Sequence, residues 1–122
     1  MRYLNCCLCG VMVLFAVVQY NDPDALFWIA MYAVTALWAA AAAYRPALFR
    51  RTLPFAALAI CVVAAAAITV SLWPQQPGWW RQEVWWESEP AREGMGLMVA
   101  TLVLLVAAIT GLLERRKGSP AA

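Results

Sequence analysis

Two short stretches of this chain concentrate side chains able to do chemistry. One holds Gln19, Asn21, Asp22, Asp24, Trp28 and Tyr32, and the other holds Arg92 and Glu93. Carboxylates held at a dry boundary can have their pKa values pushed apart, which suits general acid-base work or the handling of a cation. Trp28 and Tyr32 follow Asp24 at helical spacing, one and two turns further on. A carboxylate above an aromatic wall suits a cationic or amphiphilic ligand, through cation-π attraction over an apolar slot. The same residues have a plainer use. Asn21-Asp22-Pro23-Asp24 is a strong helix start, with Asp22 as N-cap, Pro23 at the first helical position and Asp24 complementing the dipole. Ser88 to Glu93 reads the same way, with Ser88 or Glu89 as cap, Pro90 opening the helix and Arg92 placed to pair with Asp22, Asp24 or Glu93. Capping does not require Trp28 or Tyr32, so a ligand site stays open beside it.

The surrounding composition is that of a membrane protein. Of 122 residues 65% are hydrophobic and 13% charged, about half the charged share of a soluble domain. There is no histidine, which excludes Ser-His-Asp hydrolysis, Cys-His catalysis, histidine-ligated zinc and bis-histidine haem. Four stretches lack charge: Tyr3 to Asn21, Ala25 to Tyr44, Thr52 to Trp80 and Gly94 to Leu113. Each can cross a hydrocarbon core of roughly 30 Å, and the third is cut near Trp73 by Pro74, Gln75, Gln76, Pro77 and Gly78. The expected fold is all-α: an integral membrane four-helix bundle in one domain, with helices over about 3–20, 24–44, 52–73 and 90–114. An interfacial loop covers 74–89, and a disordered cytoplasmic tail covers 116–122.

Charge orients the bundle. Arg2, Arg45, Arg50, Arg51, Arg115, Arg116 and Lys117 fall at one end, and Asp22, Asp24, Glu83, Glu87, Glu89 and Glu93 at the other. Basic loops stay in the cytoplasm, so both termini are expected there, in an inner or plasma membrane, with the acidic end outside. The first span has no small-residue cleavage pattern before Asn21 and reads as an uncleaved helix.

Helical geometry assigns faces. Asn5, Cys9, Met12, Ala16 and Gln19 share one face, and Asp24, Trp28, Thr35, Ala39 and Ala42 another. Gly96, Ala100, Ala107 and Gly111 form two small-xxx-small pairs in line with Glu93, the pattern of a helix contact in lipid. Cys6, Cys7 and Cys9, with Met12 a turn on, are soft enough for Cu(I), but no second Cys-x-x-Cys element completes a site. Buried cysteine packs as a small hydrophobe, so no metal or cofactor is expected. Trp79, Trp80, Trp85 and Trp86 place the acidic-end loop flat on the membrane surface, either as an anchor or as a lid over a pocket.

Gln19-Tyr20-Asn21-Asp22-Pro23-Asp24-Ala25, followed by Trp28 and Tyr32, resembles the signature of the transmembrane protein 220 family. Arg92-Glu93 with Gly96-Leu97 resembles its second motif, and the two bracket residues 19–97. The resemblance implies a small multi-span membrane protein of unestablished activity. It marks Gln19, Asn21, Asp22, Pro23, Asp24, Trp28, Tyr32, Arg92, Glu93 and Gly96 as motif positions without roles. The tryptophan-rich loop and short tail depart from that pattern.

These residues point first to a non-catalytic membrane protein that binds a lipid-like or cationic ligand, or a partner membrane subunit. The site would be acidic and aromatic, at the extracytoplasmic end. The alternative is a proton- or cation-coupled transporter or channel component using Asp24 and Glu93, in which the dry inward faces favour an oligomer. An enzyme ranks last, for want of a nucleophile, a metal cage or a phosphate-cradling glycine loop. No catalytic residue is assigned, and the bilayer, not nucleic acid, is the expected partner.

Overall fold

The computed structural model of the chain describes residues 1–118 and is helical throughout, with no strand among them. Helix α1 runs Arg2–Val17, α2 Ala25–Tyr44, α3 Thr52–Ser71, α4 Gln82–Glu87 and α5 Glu89–Gly118, with a 3-10 turn at Pro46–Arg50 between α2 and α3. Three helices, α2, α3 and α5, are long and apolar enough to cross a membrane, and α1 is a shorter apolar helix. The first stretch stops early. After Val17 the chain tightens into turns, with Gln19 N–H donating to Ala16 C=O and Tyr20 N–H to Val17 C=O. Such i to i−3 bonds close a helix end before a tight reversal.

Two further boundaries differ from the sequence expectation for physical reasons. The acidic-end loop is not all irregular, because Gln82–Glu87 forms α4. The basic tail does not fray at 116. The last turn of α5 is tied down through Gly118, since Glu114 accepts from Arg50 at 3.1 Å and from Lys117 at 3.3 Å, while Arg115 donates to the Phe49 carbonyl at 3.1 Å. Residues 119–122 of the expected tail lie outside the described part.

Helix α5 is the post around which the others gather. The α1–α2 hairpin packs on one side of it and α3 on another, and the 3-10 turn braces its far end. Two apolar clusters follow. Met12, Trp28, Tyr32, Ala39, Leu97 and Val103 fill the half toward the acidic end. Ala42, Phe49, Leu58, Leu104 and Ala107 fill the half toward the basic end. Gly96, Ala100, Ala107 and Gly111 are all buried along α5, where small side chains let backbones approach closely. Outside, large apolar side chains face away from the bundle, Leu26 at 86% exposure and Val70 at 73%. In water such a surface would aggregate, whereas lipid tails solvate it.

Candidate functional site

At the acidic end the chain reverses between α1 and α2. Asp22 Oδ1 accepts the Asp24 N–H at 2.8 Å and the Asp22 carbonyl accepts the Ala25 N–H at 3.0 Å. The Asp22 side chain therefore serves the start of α2, although regular helix begins only at Ala25. Asp24 itself is exposed and makes no side-chain cap hydrogen bond. Asn21 and Pro23 are exposed, and Gln19 and Asp22 half-buried. The second start is capped by Ser88, whose hydroxyl accepts the Ala91 N–H at 3.3 Å. Glu89 and Pro90 then occupy the first turn of α5.

That cap fixes which acids meet. Glu89 and Glu93 lie one turn apart on α5 and face Asp22, so that carboxylate oxygens of the three lie within 4.8 Å of one another. Glu89 was not among the sequence candidates; its i, i+4 relation to Glu93 was the available signal. Asp24 stays outside this group. Glu93 precedes the charge-free Gly94–Leu113 stretch, and burial pushes its carboxyl above the usual carboxylate range. The charges of Glu89 and Asp22, a hydrogen bond shared with Glu89 and the charge of Asp24 add to this in that order. Crowded carboxylates of this kind hold a proton or attract a cation.

The arginine expected to neutralise them turns elsewhere. Arg92 donates through Nη1 to the Trp85 carbonyl, which ties α4 to α5, and no ion pair joins it to Asp22, Asp24 or Glu93. The reason is geometric: one residue along a helix is a rotation of about 100°, so Glu93 and Arg92 look to different sides of α5.

On the Arg92 side lies a cavity of about 400 Å³. Its walls are Phe15 from the last turn of α1, Val18 and Gln19 from the turn that follows, and Met95, Gly96 and Val99 from α5. Tyr32 is its floor, and Trp85, Trp86 and Arg92 border it. Tyr32 lies 6.1 Å from Trp28, the two rings tilted by 32°, and is met edge-on by Phe15 at 5.5 Å. Only Tyr32 of the expected aromatic wall reaches the cavity; Trp28 is packed inside the core. Gly96 is what admits the phenol, because a Cβ there would overlap the Tyr32 hydroxyl. The Trp85 indole N–H is buried without a hydrogen-bond partner, an expensive condition for a donor beside a cavity. Phe15, Val18, Met95 and Val99 were invisible to sequence reasoning, being generic apolar residues.

The four loop tryptophans divide. Trp85 and Trp86 border the cavity, while Trp79 stacks edge-to-face between Trp73 and Trp80 at 5.7 and 5.6 Å, closing the end of α3 instead. The cysteines stay free thiols, Cys6 and Cys7 exposed and Cys9 and Cys61 half-buried. Among the described residues the group with metal-ligand spacing is the three carboxylates, not the thiols.

Comparison with known proteins adds one match. A family model described as transmembrane family 220, helix, covers residues 11–109 of the chain. No curated protein and no solved structure matches it.

Proposed function

The chain belongs to transmembrane family 220, and on that premise we propose that it is a small, non-catalytic integral membrane protein that binds a lipid-like ligand beneath Trp85 and Trp86. The observation that carries this reading is the cavity floored by Tyr32. Its volume falls within the range of small-molecule sites, and its walls are apolar apart from a few placed polar groups. An acyl or similar apolar moiety fits between Phe15, Met95 and Val99. A polar or anionic head then reaches Arg92 and Gln19. Arg92 on this wall favours such a head over a cationic one. In this reading the chain crosses four times, with α1 and the turn to Tyr20 forming the first crossing. Its termini are cytoplasmic, in an inner or plasma membrane, and α4 rests on the outer surface.

Native mass spectrometry of the full chain, extracted in a mild detergent, tests this. The unaltered chain is expected to retain a defined extra mass. Val99→Trp, which fills the cavity, should lose that bound copy, and Arg92→Gln should weaken its retention. A bare unaltered chain, or Val99→Trp that retains as many copies as the unaltered chain, overturns the reading, and a protein-sized mass would replace the ligand with a partner subunit.

The convergence of Asp22, Glu89 and Glu93 favours a second reading, cation- or proton-coupled transport, with Glu89 joining the acids first considered. Below them the core is Met12, Trp28 and Leu97, so a path would have to run between copies of the chain. Proton or cation flux in liposomes that is unchanged by Glu93→Gln and by Asp24→Asn would sink it.

A further inference from the structure

We propose that a cleft at the basic end, remote from the Trp85 cavity, holds the phosphate headgroup of an anionic phospholipid. The cleft lies between the 3-10 turn and the last turns of α5, encloses about 440 Å³ and is lined by Arg50, Leu112, Arg115, Arg116 and Gly118. Guanidinium groups are planar forks that match phosphate oxygens two bonds at a time. Here two of the three are set before any ligand arrives. Arg115 donates to the carbonyls of Phe49 at 3.1 Å and Arg50 at 3.4 Å, and its guanidinium lies 4.9 Å over the Phe55 ring. Arg50 is held by Glu114 at 3.1 Å. Gly118 leaves the room this needs, since a Cβ there would stand 3.0 Å from Arg50 Cδ. Donors fixed in advance lose little rotamer freedom on binding.

A mere orientation signal would need positive charge at this end and nothing more. It would not need arginines braced against main-chain carbonyls and an aromatic face around one cleft. Among the described residues Glu114 is the single acid there, and its ion pairs go to Arg50 and Lys117, not to Arg115 or Arg116. The occupant is a lipid and not a soluble anion because Leu112 lines the cleft and, at 50% exposure, begins the apolar belt of α5 at the same level. A phosphodiester in the headgroup layer would place its charge on the arginines while its acyl chains continue down that belt.

The test uses the full chain in mild detergent, titrated with phosphatidylglycerol, phosphatidylcholine or inorganic phosphate, with bound adducts counted by native mass spectrometry. Phosphatidylglycerol is expected to bind about tenfold more tightly than phosphatidylcholine. Arg116→Gln should weaken it roughly threefold and Arg50→Gln with Arg116→Gln about tenfold. Arg2→Gln and Arg45→Gln, at the same end but outside the cleft, should each change it less than about twofold. Cooperative unfolding within about 2 °C of the unaltered chain, the small drop that losing the Arg50–Glu114 pair alone accounts for, would show that the cleft variants are folded, and Arg115→Gln is avoided because it also removes the carbonyl contacts. Equal losses in the control variants, or no preference between the lipids, overturn the proposal. So does inorganic phosphate that binds alone and displaces the lipid, which would make the site one for a free anion.

Discussion

The two ends of the bundle treat surplus charge in opposite ways. At the basic end, Glu114 sits between Arg50 and Lys117, and Arg115 spreads its donors over two carbonyls and a ring face. At the acidic end three carboxylates crowd together while the neighbouring arginine binds a tryptophan carbonyl instead. The first arrangement stabilises the fold through its charges, and the second is tolerated at a cost. Charge removal should therefore have opposite signs at the two ends, and glycine contacts should differ in the same graded way.

The largest effect is expected where packing is tightest. Gly96→Ala drives a methyl into the Tyr32 hydroxyl and should lower stability by about 2 kcal/mol. At the other end Gly111→Ala meets Phe49 and Phe55 at 3.1 Å and should cost about half as much. Thermal unfolding in detergent compares them. Adding Tyr32→Phe should recover most of the Gly96→Ala loss; equal losses with and without it would show that the phenol is not the obstruction.

Loss of the Ser88 cap comes next. Ser88→Ala should cost about 1 kcal/mol and loosen the approach of Glu89 to Asp22. A stability unchanged within error would remove Ser88 from the account of why the acids meet.

The smallest pair is the most direct comparison. Glu114→Gln breaks two ion pairs and should lower the melting temperature at pH 7 by about 1–2 °C, less in high salt. Glu93→Gln should raise it by a similar amount. Because the Glu93 carboxyl in the fold lies above its ordinary value of 4.5, its charge opposes folding at pH values above that range. The penalty disappears as the pH falls below about 4.5. The gain from Glu93→Gln should vanish there, and a gain that persisted in acid would have to come from something other than charge.

How much of this was legible in the residues depends on the range of the interaction. Pro74 and Gly78 marked the end of α3, and Ser88 with Pro90 marked the start of α5, because caps and breakers act within a few residues. The shortness of α1 was not legible. Its charge-free run continues to Asn21, and only the turn that brings α2 back alongside it stops the helix at Val17. Helix α4 was hidden for a related reason: six residues nucleate poorly alone, and Arg92 holds them from α5.

By itself the sequence determined the apolar segments, their polar ends and the charge difference between those ends, because each follows from the local cost of placing a group in lipid. The tertiary structure alone decided that Asp22 meets Glu89 and Glu93 while Asp24 does not. It also decided that Arg92 faces a cavity instead of an acid, and that Trp85 and Trp86 part company from Trp79 and Trp80. Those outcomes depend on the order and rotation of helices around α5. Neither is encoded in any one segment, since apolar faces of similar composition can pack in several arrangements until small residues such as Gly96 select one.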